Sequence, residues 1–445
     1  MNILVLNGSP KGKYSVTLQT INFMEKKCPN HSFEILNVAQ YIRTFEKDFS
    51  KAKEAIEKAD VLLFSYPVYT FIAPSQLHRF IELMKANDLN LEGKFASQLS
   101  TSKHFYDVTA HRYIEDNCYD MGLKYIKGLS ADMDDLLTEK GQEDAIKFLE
   151  YICWSVENDF YEAFPAKQEA PKHMEVTVPA EPVIKEKGDV VILTDCDDDD
   201  KQLASMIDRF RHVIPLNTRV INLKDYPFKG GCMGCFGCAI SGKCVITDGF
   251  DDYLRNKIQT GDAIVYAFSI RDHSMGSLFK TYDDRQFCNG HRTVTMGMPM
   301  GYLVSGDYSK EFNLQMIIEG RAQVGSNFLA GVATDEINPN GEIDRMAANL
   351  CYALDNHYVP PQNFYGIGGM KIFRDLIWLM QGMMRADHKF YKAHGQYDFP
   401  QKKRGQMILM YAVGAVLANP KIKNKMGNKM NEGMLMPYKK ILENK

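Results

Sequence analysis

Short, mostly apolar runs alternate with charged, helix-favouring stretches through most of the chain. Six such runs occur, at Ile3–Leu6, Val61–Ser65, Val190–Thr194, Arg219–Leu223, Ala263–Phe268 and Gly301–Ser305. The first two run into Asn-Gly-Ser-Pro and Tyr-Pro, and short apolar runs closed by turns are typical of buried parallel strands. Between them, residues 49–58 (FSKAKEAIEK) favour a helix. This alternation predicts βαβ units.

A Pro-rich segment divides the chain. Residues 162–188 carry four prolines and many Lys and Glu residues, a composition that favours a linker over a packed core. We therefore predict two α/β domains, residues 1–161 and 189–358, and a C-terminal extension, residues 359–445.

The two halves also share a sequence pattern. Residues 60–65 (DVLLFS) align without gaps on residues 262–267 (DAIVYA). The same offset pairs Ser75 with Ser277, Leu77 with Phe279, and Phe80 with Tyr282. We interpret the halves as a diverged internal repeat, with two unrelated α/β domains as the alternative.

Charge distinguishes the extension from the rest of the chain. Residues 359–445 contain 15 Lys/Arg and 5 Asp/Glu, a net charge of +10, whereas residues 1–358 carry −13. Two apolar segments, residues 371–385 and 407–418, predict helices. We expect these to pack over the two domains. The alternative is a basic surface that meets acidic lipid or an acidic redox partner. The basic clusters Lys402–Arg404 and Lys421–Lys425, which flank the second apolar segment, would form it.

The overall composition excludes several classes. The 445 residues are 45% hydrophobic and 24% charged, with a net charge of −3, which indicates a globular protein and no nucleic-acid partner. No apolar run approaches the ~20 residues of a transmembrane helix, so no transmembrane segment is predicted. The N-terminus lacks a basic region and a long apolar core, so we expect a cytoplasmic protein.

The loop after the first strand has the composition of an anion site. In residues 7–17 (NGSPKGKYSVT), Ser9, Ser15 and Thr17 supply hydroxyls and Lys11 supplies positive charge ahead of a predicted helix. The loop is neither a P-loop nor GxGxxG, which disfavours ATP and a dinucleotide. An ordinary strand–helix turn is the alternative.

Two further loops follow predicted strands. They are residues 65–75 (SYPVYTFIAPS) and residues 98–106 (QLSTSKHFY). In open parallel sheets, loops at the carboxyl ends of strands build the ligand site. Their aromatic side chains, Tyr69 and Phe71 among them, are suited to flank a planar ring.

These three segments resemble the flavodoxin-like NAD(P)H-dependent FMN reductase superfamily. The resemblance implies that the first loop holds the FMN phosphate, that the other two embrace the isoalloxazine ring, and that NAD(P)H is a co-substrate. The FMN-site residues expected on this basis and from the loop composition are Ser9, Lys11, Ser15, Val16, Thr17, Pro67, Val68, Tyr69, Phe71, Thr101, Ser102 and His104. Tyr14 departs from the small polar residues common in the superfamily, and a flavodoxin-like domain without flavin is the alternative.

Four cysteines crowd into thirteen residues with the spacing C-x2-C-x2-C-x5-C. They are Cys232, Cys235, Cys238 and Cys244, with glycines between them. Four thiolates this close favour a cuboidal iron–sulfur cluster, ahead of zinc or no metal. The motif also resembles iron–sulfur flavoproteins of the same superfamily, which implies a 4Fe-4S cluster here.

The second domain lacks a plausible phosphate loop. Its first strand runs into residues 195–200 (DCDDDD), where five carboxylates would repel a phosphate. We expect them to cap a helix, with a divalent-metal site as the alternative. The prediction is therefore two tandem flavodoxin-like doubly wound parallel-sheet domains, with FMN in the first, the cluster in the second, and an internal pseudo-dimer between them.

The predicted function is that of a flavin-dependent oxidoreductase. NAD(P)H or a reduced protein would reduce FMN, and a small molecule or a redox protein would accept the electrons. No catalytic side chain is predicted, because the flavin carries the hydride chemistry. Cys288, Lys280, Asp284 and Arg285 are expected to be structural. The alternatives are a simple FMN/quinone-type reductase without a cluster and a non-enzymatic electron carrier or redox sensor.

Overall fold

The first domain is built on a parallel sheet whose strand order matches flavodoxin. The computed structural model describes residues 1–166 and 168–419. The strands of this sheet are β1 (Asn2–Asn7), β2 (Ser32–Leu36), β3 (Val61–Pro67), β4 (Phe95–Ser102), β5 (Lys124–Tyr125) and β6 (Leu129–Asp132). They are ordered β2-β1-β3-β4-β5, with β6 also paired to β4. This is the doubly wound order 2-1-3-4-5.

Helices cover both faces of this sheet. They are α1 (Val16–Lys27), α2 (Ile42–Lys47), α3 (Ser50–Lys58), α4 (Ser75–Ala86), α5 (Asp107–Asp120) and α6 (Glu139–Glu157). Ile3 and Val5 of β1 belong to the core on one face, and Leu4 and Leu6 belong to the core on the other. Because successive strand residues point to opposite faces, a strand covered on both sides has to be apolar throughout.

The second domain repeats the same topology. Its strands are β7 (Glu186–Thr194), β8 (Leu216–Asn222), β9 (Ala263–Ser269), β10 (Met300–Ser305) and β11 (Leu329–Thr334), in the order β11-β10-β9-β7-β8. Its helices are α7 (Lys201–Val213), α8 (Gly237–Ser241), α9 (Phe250–Tyr253), α10 (Gly276–Arg285), α11 (Phe312–Gly325) and α12 (Pro339–Asn356). The prediction of two flavodoxin-like parallel sheets is confirmed.

The extension is helical, as predicted. Its helices are α13 (Phe364–Leu379), α14 (Arg385–Ala393) and α15 (Arg404–Leu417). The chain divides into two compact units, residues 1–390 and 391–445, so α13, which packs on α11, lies in the unit that holds the sheets. None of the helices in the described part of the chain is long and apolar enough to cross a membrane. The predicted basic cluster Lys421–Lys425 lies outside the described residues.

The predicted linker is fastened to the second domain. Between α6 and β7, the described residues form neither helix nor strand. The Met174 amide donates to the Asp335 carbonyl (2.7 Å), and the His173 ring contacts the carboxylates of Asp307 and Asp335 (2.8 and 3.0 Å). The exact domain boundaries stay predictions.

One aspartate plays the same part in each domain. The Asp60 side chain, just before β3, accepts from the Asn2 amide at the start of β1 (2.7 Å). The Asp262 side chain, just before β9, accepts from the Asp189 amide of β7 (2.9 Å). These are the aspartates that the sequence alignment pairs. The common strand order and this shared contact agree with an internal repeat, whose common origin stays a prediction.

Helices α4 and α10 pack against each other and join the two domains. Lys280 of α10 is fully buried, and its ammonium donates to the Tyr69 carbonyl (3.1 Å) and the Thr70 hydroxyl (2.7 Å) of the first domain. It also pairs with Asp284, which accepts from the Ser75 amide (2.7 Å). Buried charges need partners of this kind, so the pair is structural, as expected.

A second ionic contact joins the domains at the surface. The His273 ring lies 3.0 Å from a carboxylate oxygen of Asp120 and 2.9 Å from one of Glu311. Burial lowers the pKa of His273, but the hydrogen bonds to these two carboxylates outweigh it and raise the pKa to about 10. The imidazole is therefore charged at neutral pH.

This contact predicts a pH-dependent stability. The unfolded-state pKa of histidine is about 6.5, so the stabilisation from His273 is fully present below that pH and is lost as pH rises through about 10. We expect His273→Gln to lower the melting temperature clearly at acidic pH and hardly at all above the folded-state pKa. The control His212→Gln removes a partly buried histidine of α7 whose ring bonds the Asp208 carbonyl (2.7 Å) rather than a carboxylate. A melting-temperature difference that stays constant across this pH range would contradict the assignment.

Candidate active site

A cavity of about 190 Å³ opens between the two domains. Ten of the twelve predicted FMN-site residues line it: Ser9, Lys11, Ser15, Val16, Thr17, Pro67, Val68, Tyr69, Thr101 and Ser102. The four clustered cysteines, Cys232, Cys235, Cys238 and Cys244, line it as well. The structure thus brings the predicted flavin loops and the predicted metal ligands to one space.

The loop after β1 is shaped by a buried asparagine. The Asn7 side chain accepts from the Ser9 amide (3.1 Å) and donates to the Gly12 carbonyl (3.2 Å). Gly12 has φ +54°, a conformation that L side chains rarely adopt, and a Cβ there would displace the Gln40 side chain, so the position favours glycine. Ser15 then caps α1. The Ser9 and Ser15 hydroxyls therefore gather at the N-terminus of a twelve-residue helix, a favourable place for an anion.

A buried pair of hydroxyls links this loop to the third strand end. Thr17 of α1 and Thr101 of β4 lie 2.6 Å apart through their hydroxyl oxygens. Lys11 adds positive charge to the same wall, with its ammonium 5.6 Å from the centre of the Phe236 ring in the second domain. The donor set of this wall (hydroxyls, helix amides and an ammonium) fits the phosphate of FMN.

The loop after β3 forms a tight turn that points Tyr69 at the cysteine segment. The amides and carbonyls of Tyr69 and Ile72 bond each other (2.8 and 3.1 Å), and Thr70 and Phe71 take φ values of +39° and +74°. Positive φ is unfavourable for such side chains, so the fold must hold the turn in place. A Cβ at Gly234 would meet the Tyr69 hydroxyl, which shows how closely the turn and the cysteine segment approach.

The structure does not bring the other two predicted residues to this cavity. Phe71 lines a neighbouring cavity of about 170 Å³ and packs on the Tyr106 ring, 4.4 Å between centroids. The His104 side chain is half exposed and lies 2.7 Å from the Asp107 carboxylate. The positive φ of Phe71, which sequence does not reveal, turns that ring away from the three strand ends.

The cysteine segment forms the opposite wall. The Cys238 thiol donates to the Phe287 carbonyl (2.7 Å), and the Gly234 amide donates to the Cys232 sulfur (3.4 Å). Burial raises the pKa of Cys232 to about 12 and that of Cys238 to about 11. Both are therefore protonated thiols at neutral pH, and a metal would have to displace their protons.

The thiols do not form a ready-made metal site. Among residues 1–166 and 168–419, no group of three or more His, Cys, Asp or Glu side chains is arranged to hold a metal ion. The residue chemistry suits iron–sulfur ligation, but the arrangement does not, so the predicted 4Fe-4S set receives no support from the geometry.

Part of the cavity wall was not predicted. Its unpredicted residues include Phe105, Met133, Arg285, Phe287, Cys288, His291, Ile372, Phe373 and Leu376. The last three belong to α13, whose helix the sequence predicted without indicating what it covers. Cys288 is almost fully buried, as expected of a structural thiol, and still borders the cavity.

The acidic loop of the second domain behaves as a cap. The Asp200 side chain accepts from the Leu203 amide (3.2 Å) at the start of α7, as predicted. Asp197 pairs with Arg271 (3.2 Å) and with Lys224. Burial raises the pKa of Asp195 to about 6. Asp197 and Asp200 therefore form an ion pair and a helix cap within the second domain. The described residues form no metal site there.

Comparisons with known proteins agree with this geometry. Residues 1–113 match the family model of NADPH-dependent FMN reductases. The iron-sulfur flavoprotein of Archaeoglobus fulgidus is 23% identical over 175 residues, which cover 37% of this chain and 78% of that protein.

Solved structures show lower similarity. The NAD(P)H:quinone oxidoreductase of Methanothermobacter marburgensis is 14% identical with a TM-score of 0.29, over 37% of this chain and 98% of that one. The FMN-dependent NADH-azoreductase of Bacillus anthracis is 15% identical with a TM-score of 0.27, over 35% of this chain and 98% of that one. At these TM-scores the likeness adds nothing to the observed strand order.

The family match falls within the first sheet domain, so the fusion of two related copies stays a prediction. That domain combines the matched sequence, the flavodoxin strand order and the hydroxyl-rich loop after β1. Residues 1–113 thus match the NADPH-dependent FMN reductases, and part of the chain is similar to an iron–sulfur flavoprotein, which agrees with the resemblance seen in the sequence.

Proposed function

We propose that this chain is a flavin-dependent NAD(P)H oxidoreductase that holds FMN in the cavity between its two domains. The observation that carries the proposal is that one cavity joins the loops after β1, β3 and β4. Each loop supplies chemistry suited to a different part of FMN. The match of residues 1–113 to FMN reductases supports the same conclusion.

The phosphate would be held by the wall at the start of α1. Ser9 and Ser15 offer hydroxyls near the N-terminus of α1, and Lys11 offers a charge-assisted hydrogen bond. Thr17 is fixed by its hydrogen bond to Thr101, so its position does not depend on the ligand.

The ring would lie against the loops after β3 and β4. Val68 and Tyr69 give this part of the wall an apolar character, and Phe236 and Phe373 close it from the second domain and α13. Bound FMN supplies the hydride chemistry between NAD(P)H and a small-molecule acceptor. The surrounding side chains orient the ring and exclude water. In this arrangement the second domain completes the site as the partner in an internal pseudo-dimer.

An iron–sulfur cluster on the four thiols is the finer proposal. It rests on the cysteine chemistry and on the similarity to the iron-sulfur flavoprotein of Archaeoglobus fulgidus. The arrangement of the thiols does not favour it. A flavin reductase with four structural thiols is the simpler form of the same proposal.

Lys11→Gln is expected to weaken FMN binding by about ten- to a hundredfold, because a charge-assisted hydrogen bond contributes roughly 1.5–3 kcal/mol. Riboflavin, which lacks the phosphate, should bind both proteins alike. The control is Lys13→Gln, whose side chain lies over the Tyr14 ring and does not line the cavity. Quenching of flavin fluorescence measures both affinities.

Equal FMN affinities for Lys11→Gln, Lys13→Gln and the unaltered protein would contradict the placement of the phosphate. A parallel loss of riboflavin binding would show instead that Lys11 acts on the ring or on the fold.

The full chain loaded with FMN is expected to oxidise NADH or NADPH continuously in the presence of a quinone or a nitroaromatic. The rate should exceed that of the same concentration of free FMN, because the cavity fixes the ring beside its reactants. Absorbance of the reduced nicotinamide follows the reaction. A single stoichiometric reduction that then stops would identify an electron carrier and would contradict the enzyme.

Metal analysis tests the cluster. A 4Fe-4S cluster predicts about four iron and four acid-labile sulfide per chain after anaerobic purification. Cys232→Ser should abolish both, whereas the control Cys351→Ser, on α12 away from the cavity, should retain both. Protein that contains FMN but neither iron nor sulfide would refute the cluster and leave the reductase standing, and zinc in place of iron would refute it in the same way.

A further inference from the structure

Helix α15 exposes apolar side chains around its whole circumference. Met407, Ile408, Leu409, Met410 and Tyr411 are each between 53% and 76% exposed. Because an α-helix has 3.6 residues per turn, five successive residues point in all directions around it. A helix that is apolar on every side is stable where apolar material surrounds it, and its exposure here marks an interaction site.

Positive charge is concentrated in the same unit. Exposed Lys402, Lys403 and Arg404 stand directly at the start of α15. Residues 391–445 contain eleven Lys/Arg against three Asp/Glu, a net charge of +8, whereas residues 1–390 contain 42 against 53, a net charge of −11. The apolar helix and the excess of basic residues therefore belong to the same unit, whereas the residues of the other unit are acidic overall.

We propose that α15 and the basic residues before it dock this chain on an anionic lipid bilayer. An anionic bilayer would surround the apolar side chains of the helix with hydrocarbon, and its negative headgroups would bind the basic residues beside the helix. A groove on a protein would cover one face and leave the others in water. This inference is independent of the flavin chemistry proposed above.

The length of α15 sets how it enters the bilayer. Fourteen residues at 1.5 Å each extend about 21 Å, less than the ~30 Å hydrocarbon core. The helix therefore enters from one side and does not cross. Lys402, Lys403 and Arg404 then lie at the level of the lipid phosphates, where each basic residue strengthens binding about fivefold.

Vesicle flotation tests the proposal with the full chain. It should float with phosphatidylcholine vesicles that contain about one third phosphatidylglycerol, and much less with pure phosphatidylcholine. Ile408→Glu should abolish flotation by placing a charge in hydrocarbon. The control Ile337→Glu, an 84% exposed apolar residue of the second domain, should float like the unaltered protein.

A second variant keeps the test valid if Ile408→Glu fails to fold. Lys402→Gln with Lys403→Gln should weaken binding to the anionic vesicles about 25-fold, and raised salt should weaken the unaltered protein similarly.

Three results would overturn the proposal. The first is that the unaltered protein stays in solution beside anionic vesicles. The second is that folded Ile408→Glu floats as well as the control. The third, by light scattering, is that the unaltered chain is a dimer and Ile408→Glu a monomer, since α15 would then be covered by a second copy.

Discussion

The candidate site depends on the buried contact between α10 and the turn after β3. Lys280 donates to the Tyr69 carbonyl and the Thr70 hydroxyl, and Asp284 accepts from that hydroxyl (2.6 Å) and from the Ser75 amide. The turn contains two residues at positive φ, a conformation that costs of order 1–3 kcal/mol each and persists only when neighbours enforce it. The second domain holds the turn in this conformation, so Lys280 and Asp284 position Tyr69 in the cavity although they do not line it themselves.

The same contact explains why the cavity forms between the domains. Helices α4 and α10 follow the third strand of their sheets, so their packing brings the strand ends of the first domain towards the segment after β8. Gly234 lies against Tyr69, and Phe236 lies near Lys11. The loops of the first domain supply the polar wall that we propose holds the phosphate. The second domain and α13 supply the covering wall, which is largely apolar and bears the thiols.

Sequence patterns predicted the parts of this structure that depend on short stretches of the chain, such as the strands and the loops that follow them. Strands that are buried on both faces need continuous apolar runs, so the strands could be found from the sequence. Loops at the carboxyl ends of parallel strands meet at one edge of the sheet, so most of the proposed flavin wall was predictable. Phe71 was not, because a positive φ redirects its ring. The role of α13 was not predictable either, because an amphipathic pattern shows which face is buried and not what covers it. The cysteine spacing predicted that four thiols lie together, and they do lie on one wall of the cavity. Whether they can bind a metal depends on the directions of their side chains, which the spacing does not determine.

Completing the cavity within one polypeptide has a kinetic consequence. Where two separate chains build a site at their interface, the fraction assembled falls on dilution, and each chain must find its partner after synthesis. Here both walls belong to one chain, because the segment between α6 and β7 connects the two domains. The covering wall therefore meets the loops of the first domain in an intramolecular step. The cavity is therefore assembled to the same extent at any concentration of the protein, including a few copies per cell.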